Sequence, residues 1–328
     1  MLIFALKTCL PMLFGPNKRP YLSWSDLIRQ RYGTRVQKLA VNAGFSCPNR
    51  DGTVGWGGCS FCNNEGFSPS YCHPPKPISR QIDEGLSFVT KRYPRARMFV
   101  AYFQAFSNTH APLSVLMKRY GEALSHPRIS GLVIGTRPDC VDQEKLDYLA
   151  ELSGRHFIQL EYGIESCYDR TLERINRGHD FAASRRSVDM TVRRKLLCGA
   201  HMIFGLPGES REMMLEQVSL INALPLDSIK FHQLQIVKGT PMASQYMDDP
   251  QRFALFELDE YIDFMVSFVE RMRPDLAIDR FSGEVPPRLI AGKRWENVRA
   301  DTVAGLIERR LRDKGTFQGK LFAGRPST

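Results

Sequence analysis

Short apolar runs recur along the chain, each bounded by glycine, proline or polar residues, with amphipathic stretches between them. The runs are Val36–Val41, Met98–Gln104, Ile129–Gly135, Phe157–Gly163, Cys198–Phe204 and Ser228–Ile236. Their shortness and punctuation are those of strands buried on both faces. Helical spacing predicts helices over Ile78–Arg92, Leu113–Ser125, Gln143–Leu152, Asp169–Ile175 continued by Ala182–Arg194, and Arg211–Ala223. Six strand-then-helix repeats, roughly 30 residues apart, predict parallel βα units in an open doubly wound sheet or an incomplete barrel. In either fold the chemistry belongs at the carboxyl ends of the strands. The polar motifs sit there: a cysteine loop, then SNTH, TRPDC, ESC, GLPGES and VKGTPM. After Pro241 the pattern changes to a long amphipathic helix, Arg252–Met272, a short apolar run near Leu276–Phe281 and a basic helix near Thr302–Arg312. The expected organisation is an N-terminal extension (1–34), a partial barrel (35–245) and a small, mainly helical, basic C-terminal extension (246–328).

Composition narrows this picture. With 328 residues, 43% of them hydrophobic, the chain can bury one large core. Lys and Arg number 45 against 35 Asp and Glu, and the stretch from Arg273 to Thr328 holds 12 basic and 7 acidic residues, half of the excess. Such a tail attracts polyanions, tRNA or rRNA among them, or forms a solvated helical face. Eight cysteines at irregular spacing do not make a secreted disulfide scaffold, so a reducing, cytoplasmic setting is expected. The apolar start, MLIFALKTCLPMLFG, is broken by Lys7 and Pro11 and is shorter than the roughly 20 residues that span a bilayer. It has no basic n-region or small-x-small cleavage site and reads as an extension that packs on the fold or is disordered, with Met12 an alternative start. No membrane association is expected.

The segment CPNRDGTVGWGGCSFC places Cys47, Cys59 and Cys62 directly after the first predicted strand, in a Cys-x11-Cys-x2-Cys pattern. Thiolates are soft ligands that suit zinc and iron–sulfur clusters alike. With Cys72 as a fourth ligand the set is a structural zinc ribbon, and the protein could be a zinc-stabilised RNA-binding protein without catalysis. Without Cys72, three ligands leave one iron of a [4Fe–4S] cluster open for chemistry. Three unrelated buried thiols are the plainest reading.

The rest of the chain weighs on this choice. LEYGIESCYDRTLERINRGHDF resembles the fourth-strand segment of the radical S-adenosylmethionine (SAM) core of the Elongator catalytic subunit and its relatives. GTRPDC, HMIFGLPGES and IVKGTPM resemble the same family in the same order, and with the cysteine loop they cover roughly residues 35 to 245. The cysteine spacing is longer than the superfamily's usual Cys-x3-Cys-x2-Cys, and nothing like an acetyltransferase domain follows. The chain is therefore most similar to the stand-alone, Elongator-like radical SAM proteins of bacteria.

This resemblance implies a partial (β/α)6 TIM-like barrel and two cofactors, a [4Fe–4S] cluster on Cys47, Cys59 and Cys62, and SAM, which a reduced cluster splits to methionine and a 5′-deoxyadenosyl radical. It also implies an external electron donor of flavodoxin or ferredoxin type. Gln104 stands where the family faces the methionine amine. Glu161 and Glu165 lie four apart on the fourth strand, and the resemblance favours Glu165 for the ribose. Arg177 suits the methionine carboxylate in bidentate geometry. Gly205 and Gly208 let backbone pass close to adenine, against which Ile236 and Val237 could pack. Near the substrate the candidates are Arg137, Cys140 and Cys167, with Asp139, His201 and His232 beside them. Either cysteine could donate a hydrogen atom or could be a small buried hydrophobe.

Overall fold

The computed structural model describes residues 18–64, 68–72, 75–94, 96–295 and 298–324. The apolar N-terminal run lies outside the described residues. Seven strands form one sheet: β1 (Val36–Val41), β2 (Met98–Phe103), β3 (Ile129–Thr136), β4 (Phe157–Glu165), β5 (Leu197–Phe204), β6 (Ser228–Gln233) and β7 (Ala277–Arg280). They lie side by side in chain order and every pair is parallel. The helices that return the chain between strands are α2 (Ile78–Arg92), α3 (Leu113–Leu124), α4 (Gln143–Ser153), α5 (Asp169–Arg174) with α6 (Phe181–Arg193), and α7 (Arg211–Ala223). Side-chain N-caps fix where several begin: Asp142 accepts from the Lys145 amide, Asp180 from Ala183 and Ser210 from Met213.

The sheet is curled. Seven flat strands would hold β1 and β7 roughly 29 Å apart at about 4.8 Å per step. Instead Lys38 Nζ on β1 lies 2.6 Å from Asp279 Oδ2 on β7. Among the described residues no backbone ladder joins β1 to β7, so the barrel is partial and its seam is bridged by side chains. The predicted partial α/β barrel is therefore observed, with one strand more than the six expected. The extra strand is the run Leu276–Phe281, which pattern alone leaves inside the C-terminal extension.

That extension is part of the same core. Helices α8 (Pro241–Asp248), α9 (Leu258–Arg271) and α10 (Ala300–Asp313) follow β6. Phe264 and Phe268 of α9 pack on Phe204 and Phe231 of β5 and β6, with ring centroids between 4.8 and 5.3 Å apart. Val303, Ile307 and Leu311 of α10 belong to that cluster. The predicted helix Arg252–Met272 starts later, at Leu258, where Glu257 and Glu260 form a capping box.

The N-terminal segment closes the base. Ile278 N of β7 donates to Leu22 O at 2.8 Å, and α1 (Trp24–Tyr32) follows. Trp24 Nε1 donates to Gln159 Oε1 inside the barrel at 3.2 Å. Gln318 ties both chain ends to this base, accepting from Leu22 N at 2.9 Å and donating to the carbonyls of Arg273 and Leu276.

Candidate active site

The cysteine loop is shaped by turns and pinned from below. Cys47 O accepts the amides of Arg50 and Asp51, and Cys59 O accepts that of Cys62. Asn49 Nδ2 donates to Asn176 O, while Asn176 Nδ2 returns a bond to Gly58 O at 2.8 Å. The backbone passes so close that a Cβ on Gly178, itself at φ +74°, would stand 3.0 Å from Val54 and 3.1 Å from Asn49. Arg50 Nη2 closes the loop on Cys62 O at 2.8 Å.

Cys47, Cys59 and Cys62 all line one cavity of about 1280 Å³, open mouth included, at the carboxyl ends of the strands. Its walls also carry Gln104, Arg137, Glu161, Glu165, Arg177, His201, His232 and Val237, which brings most of the sequence candidates together. Burial pushes the Cys62 thiol up to about 11, with Cys59 adding and Arg50 opposing.

At the end of β4 a bulge between Gly163 and Glu165 and a left-handed Glu165 (φ +68°) bring that carboxyl to the cavity wall. Glu165 Oε1 lies 3.6 Å from Arg177 Nη2, and burial still raises its pKa above the ordinary value. Arg177 also donates from Nη1 to Cys59 Sγ at 3.4 Å. Arg137 forks onto Asp139 at 2.9 and 2.7 Å. Two buried donor atoms here have no partner, Arg137 Nη1 and Arg177 Nε. Such orphans are costly unless a ligand meets them.

Several candidates fall elsewhere. Cys72 does not line the cavity: its buried thiol donates to Ala40 O at 3.0 Å and is pushed up to about 12 by burial. The fourth ligand of a zinc ribbon is therefore not in place, and among the described residues no three His, Cys, Asp or Glu side chains are grouped to hold a single ion. Cys140 and Cys167 are buried thiols off the cavity wall, both with raised pKa from desolvation. Gly205 and Gly208 also lie off the wall. Gly205 backs onto Leu234 and Phe256, and Gly208 is covered by the Arg174 guanidinium. Ile236 is fully buried, whereas Val237 reaches the cavity.

Glu161 differs from its expected role. Both oxygens are occupied, by Lys38 Nζ at 2.9 Å, Lys230 Nζ at 2.5 Å and His201 Nε2 at 3.1 Å. Burial opposes its charge, yet the two lysines hold its pKa well below the carboxylate range. It is the centre of an ionic floor, not a free acceptor for a sugar. Lys38, Lys230 and Asp279 were missed in the sequence, although a charge in the middle of VQKLAV, SIKFHQ or AIDR is itself a signal.

The curled parallel sheet thus carries three cysteines at the carboxyl end of its first strand, with unmatched guanidinium groups beside them on the same cavity. The chain belongs to the radical SAM superfamily, whose domain it matches over residues 47–221, with a Radical_SAM C-terminal domain over 226–312. It is 34% identical to the uncharacterised protein YtqA of Bacillus subtilis (strain 168) over 95% of this chain and 96% of that protein. It is 39% identical to protein YhcC of Escherichia coli (strain K12) over 92% and 94%. The solved archaeal Methanocaldococcus infernus Elp3 shares the fold, with a TM-score of 0.64 at 15% identity, covering 86% of this chain; the chain spans 64% of that one. The protein is thus a radical SAM enzyme, with a [4Fe–4S] cluster and SAM as cofactors. Among the described residues no helix is long and apolar enough to cross a membrane.

Proposed function

We propose that Cys47, Cys59 and Cys62 hold the cluster, that Gln104, Glu165, Arg177 and Val237 hold SAM, and that the enzyme modifies a macromolecular substrate, RNA being favoured, in the cytoplasm. The observation that carries the cofactor part is the convergence of the three cysteines with Arg177 and Glu165 on one cavity. Held there, the cluster would supply one-electron reductive chemistry towards SAM, with an external flavodoxin- or ferredoxin-like protein as the electron source. The chain's own part is to bind. Arg177 stands on Cys59 and offers its unpaired Nε to a carboxylate. Glu165, buried and beside Arg177, accepts hydroxyl groups.

RNA is supported by the positive charge of residues 273–328, though not by α10. There Arg310 and Lys314 pair with Asp259 and Asp263 of α9, and Arg312 with Glu308. Cutting the chain at residue 273 would remove β7 from the sheet, so charge substitutions are the sounder probe. Anaerobic reconstitution should give about four irons per chain and 5′-deoxyadenosine on adding SAM and a strong reductant. Absence of both with folded protein overturns the reading, and each single Cys→Ala change at 47, 59 or 62 should abolish both.

A further inference from the structure

A second cavity opens out of the first on the side of the C-terminal segment. Gln104, His232, Gln235, Arg280 and Val285 line both, so the two are continuous. Farther out its walls carry Pro286, Pro287, Ile290, Val298 and the guanidinium residues Arg294 and Arg299. These walls are fixed. Gln233 and Gly283 exchange two hydrogen bonds, at 3.0 and 3.2 Å, and Trp295 anchors its stretch through Nε1 to Phe256 O at 2.9 Å and through its ring on Tyr261.

The charges in this passage do not balance. Glu284 is the acidic residue on its described wall, and it is turned to the amide of Ala300 at the start of α10. Lys293, next to Arg294, is taken by Glu257. Arg294 and Arg299 are exposed and have no ion-pair partner among the described residues. At the neck, Arg280 Nη2 meets His232 Nε2 at 3.1 Å, and Arg280 Nε is buried with no partner. Burial and Arg280 keep His232 neutral, so it accepts from the guanidinium and aims it without cancelling its charge.

We propose that this passage is where the substrate reaches the radical site, and that it selects a phosphate-bearing substrate, with Arg294 and Arg299 at the mouth and Arg280 at the neck. Three guanidinium groups along one passage, with its one described carboxylate engaged elsewhere, exceed what a single carboxylate would neutralise. They suit a phosphate monoester or a run of phosphodiesters, which forked donors bind in bidentate fashion. The apolar wall between them accommodates an organic body. The inference deepens the proposed function and rests on it for the nature of the chemistry, though the binding it describes can be measured alone.

The test uses the full, anaerobically reconstituted chain and fluorescence anisotropy of a labelled short single-stranded RNA, with adenosine 5′-monophosphate, inorganic phosphate and unphosphorylated adenosine as competitors. The expected result is competition by the phosphorylated compounds and not by adenosine. Binding should weaken about tenfold or more in Arg294→Glu/Arg299→Glu and show a lower salt dependence. Arg280→Gln should weaken the monophosphate as well. Much tighter binding of RNA than of the monophosphate identifies nucleic acid as the source of the phosphate, and comparable binding identifies a small phosphorylated compound. Both support the passage. Equal competition by adenosine, no binding of any phosphate, or an unchanged double variant that melts normally overturns it. Arg294 and Arg299 lie outside the first cavity, so substrate-free 5′-deoxyadenosine formation should be unchanged in the double variant. If wild type binds phosphate through these arginines yet forms no 5′-deoxyadenosine, the radical reading fails and the binding inference stands.

Discussion

The floor and the mouth of this barrel hold similar numbers of charged residues and handle them in opposite ways. At the floor every charge is met: Glu161 by Lys38, Lys230 and His201, Asp279 by Lys38 and Lys230, and Tyr102 Oη by Lys230 at 3.1 Å. At the mouth Arg137, Arg177 and Arg280 each keep a buried nitrogen without a partner. A polar network inside a low-dielectric core is stable only when complete, so the floor is a device of structure. The incomplete donors are a standing cost that ligands remove, so the mouth is a device of binding.

The sharpest way to break this contrast is to open the floor. Glu161→Ala would leave Asp279 as the one carboxylate that Lys38 and Lys230 share, and the expected loss is about 3 kcal/mol of stability, the low end for a broken buried pair. Chemical denaturation checks it. A loss below about 1 kcal/mol would mean that the floor is wet and its charges individually solvated.

Acid should act on the floor first. Burial and Lys230 lower the pKa of His201 to about 4, and His232 is depressed further by burial and Arg280. Both are depressed in the fold, so the unfolded chain binds more protons below its own histidine pKa of about 6.5. Stability is therefore full above that value and falls as pH drops from about 6.5 towards 4, by up to about 3 kcal/mol for His201 alone. Melting from pH 7 to pH 5 should show the slope, and His201→Asn should flatten it. Loss through Glu161 and Asp279 belongs to a lower window, because their pKa values are depressed from the carboxylate range and need stronger acid to protonate.

At the mouth the same kind of change should spare the fold and strike the ligand. Arg177→Ala removes one charged donor set whose proposed partner is SAM, and the expected cost is a roughly 10- to 100-fold weaker SAM affinity, from about 1.5–3 kcal/mol per charged hydrogen bond. Equilibrium binding on the reconstituted protein measures it. Its stability should change less than that of Glu161→Ala, and a reversal of that order would refute the division between floor and mouth.

How much of this was readable beforehand follows the same division. The apolar runs located β1 to β6 within a few residues because strands buried on both faces leave a continuous signal. β7 escaped because four residues, two of them Asp279 and Arg280, are too short and too charged to read as a strand. Cys47, Cys59, Cys62, Arg137, Glu165 and Arg177 were singled out because each sits in a compact local motif, and all six line the one cavity. The floor was not, because Lys38, Glu161, Lys230 and Asp279 come from four strands that only the curl of the sheet brings together. Gly205 and Gly208 lie off this cavity: a glycine's left-handed backbone, here at φ +95° and +91°, is visible in sequence as a turn, but not the side of the turn that faces a ligand.

Cys72 gives the smallest effect and the finest distinction. It lies ten residues beyond Cys62, yet its buried thiol donates to Ala40 O on β1 and does not line the cavity. Serine retains a hydroxyl donor for that carbonyl and loses only the size and polarisability of sulfur, so Cys72→Ser should cost about 1 kcal/mol or less. Iron content and 5′-deoxyadenosine formation should match wild type. The same change at Cys59, where the sulfur lies 3.4 Å from Arg177 Nη1, should remove the iron while leaving the floor and the melting of the metal-free chain nearly intact. Loss of iron from Cys72→Ser would instead recruit Cys72 to the metal site and require a loop arrangement unlike the one that Asn49, Asn176 and Arg50 hold in place.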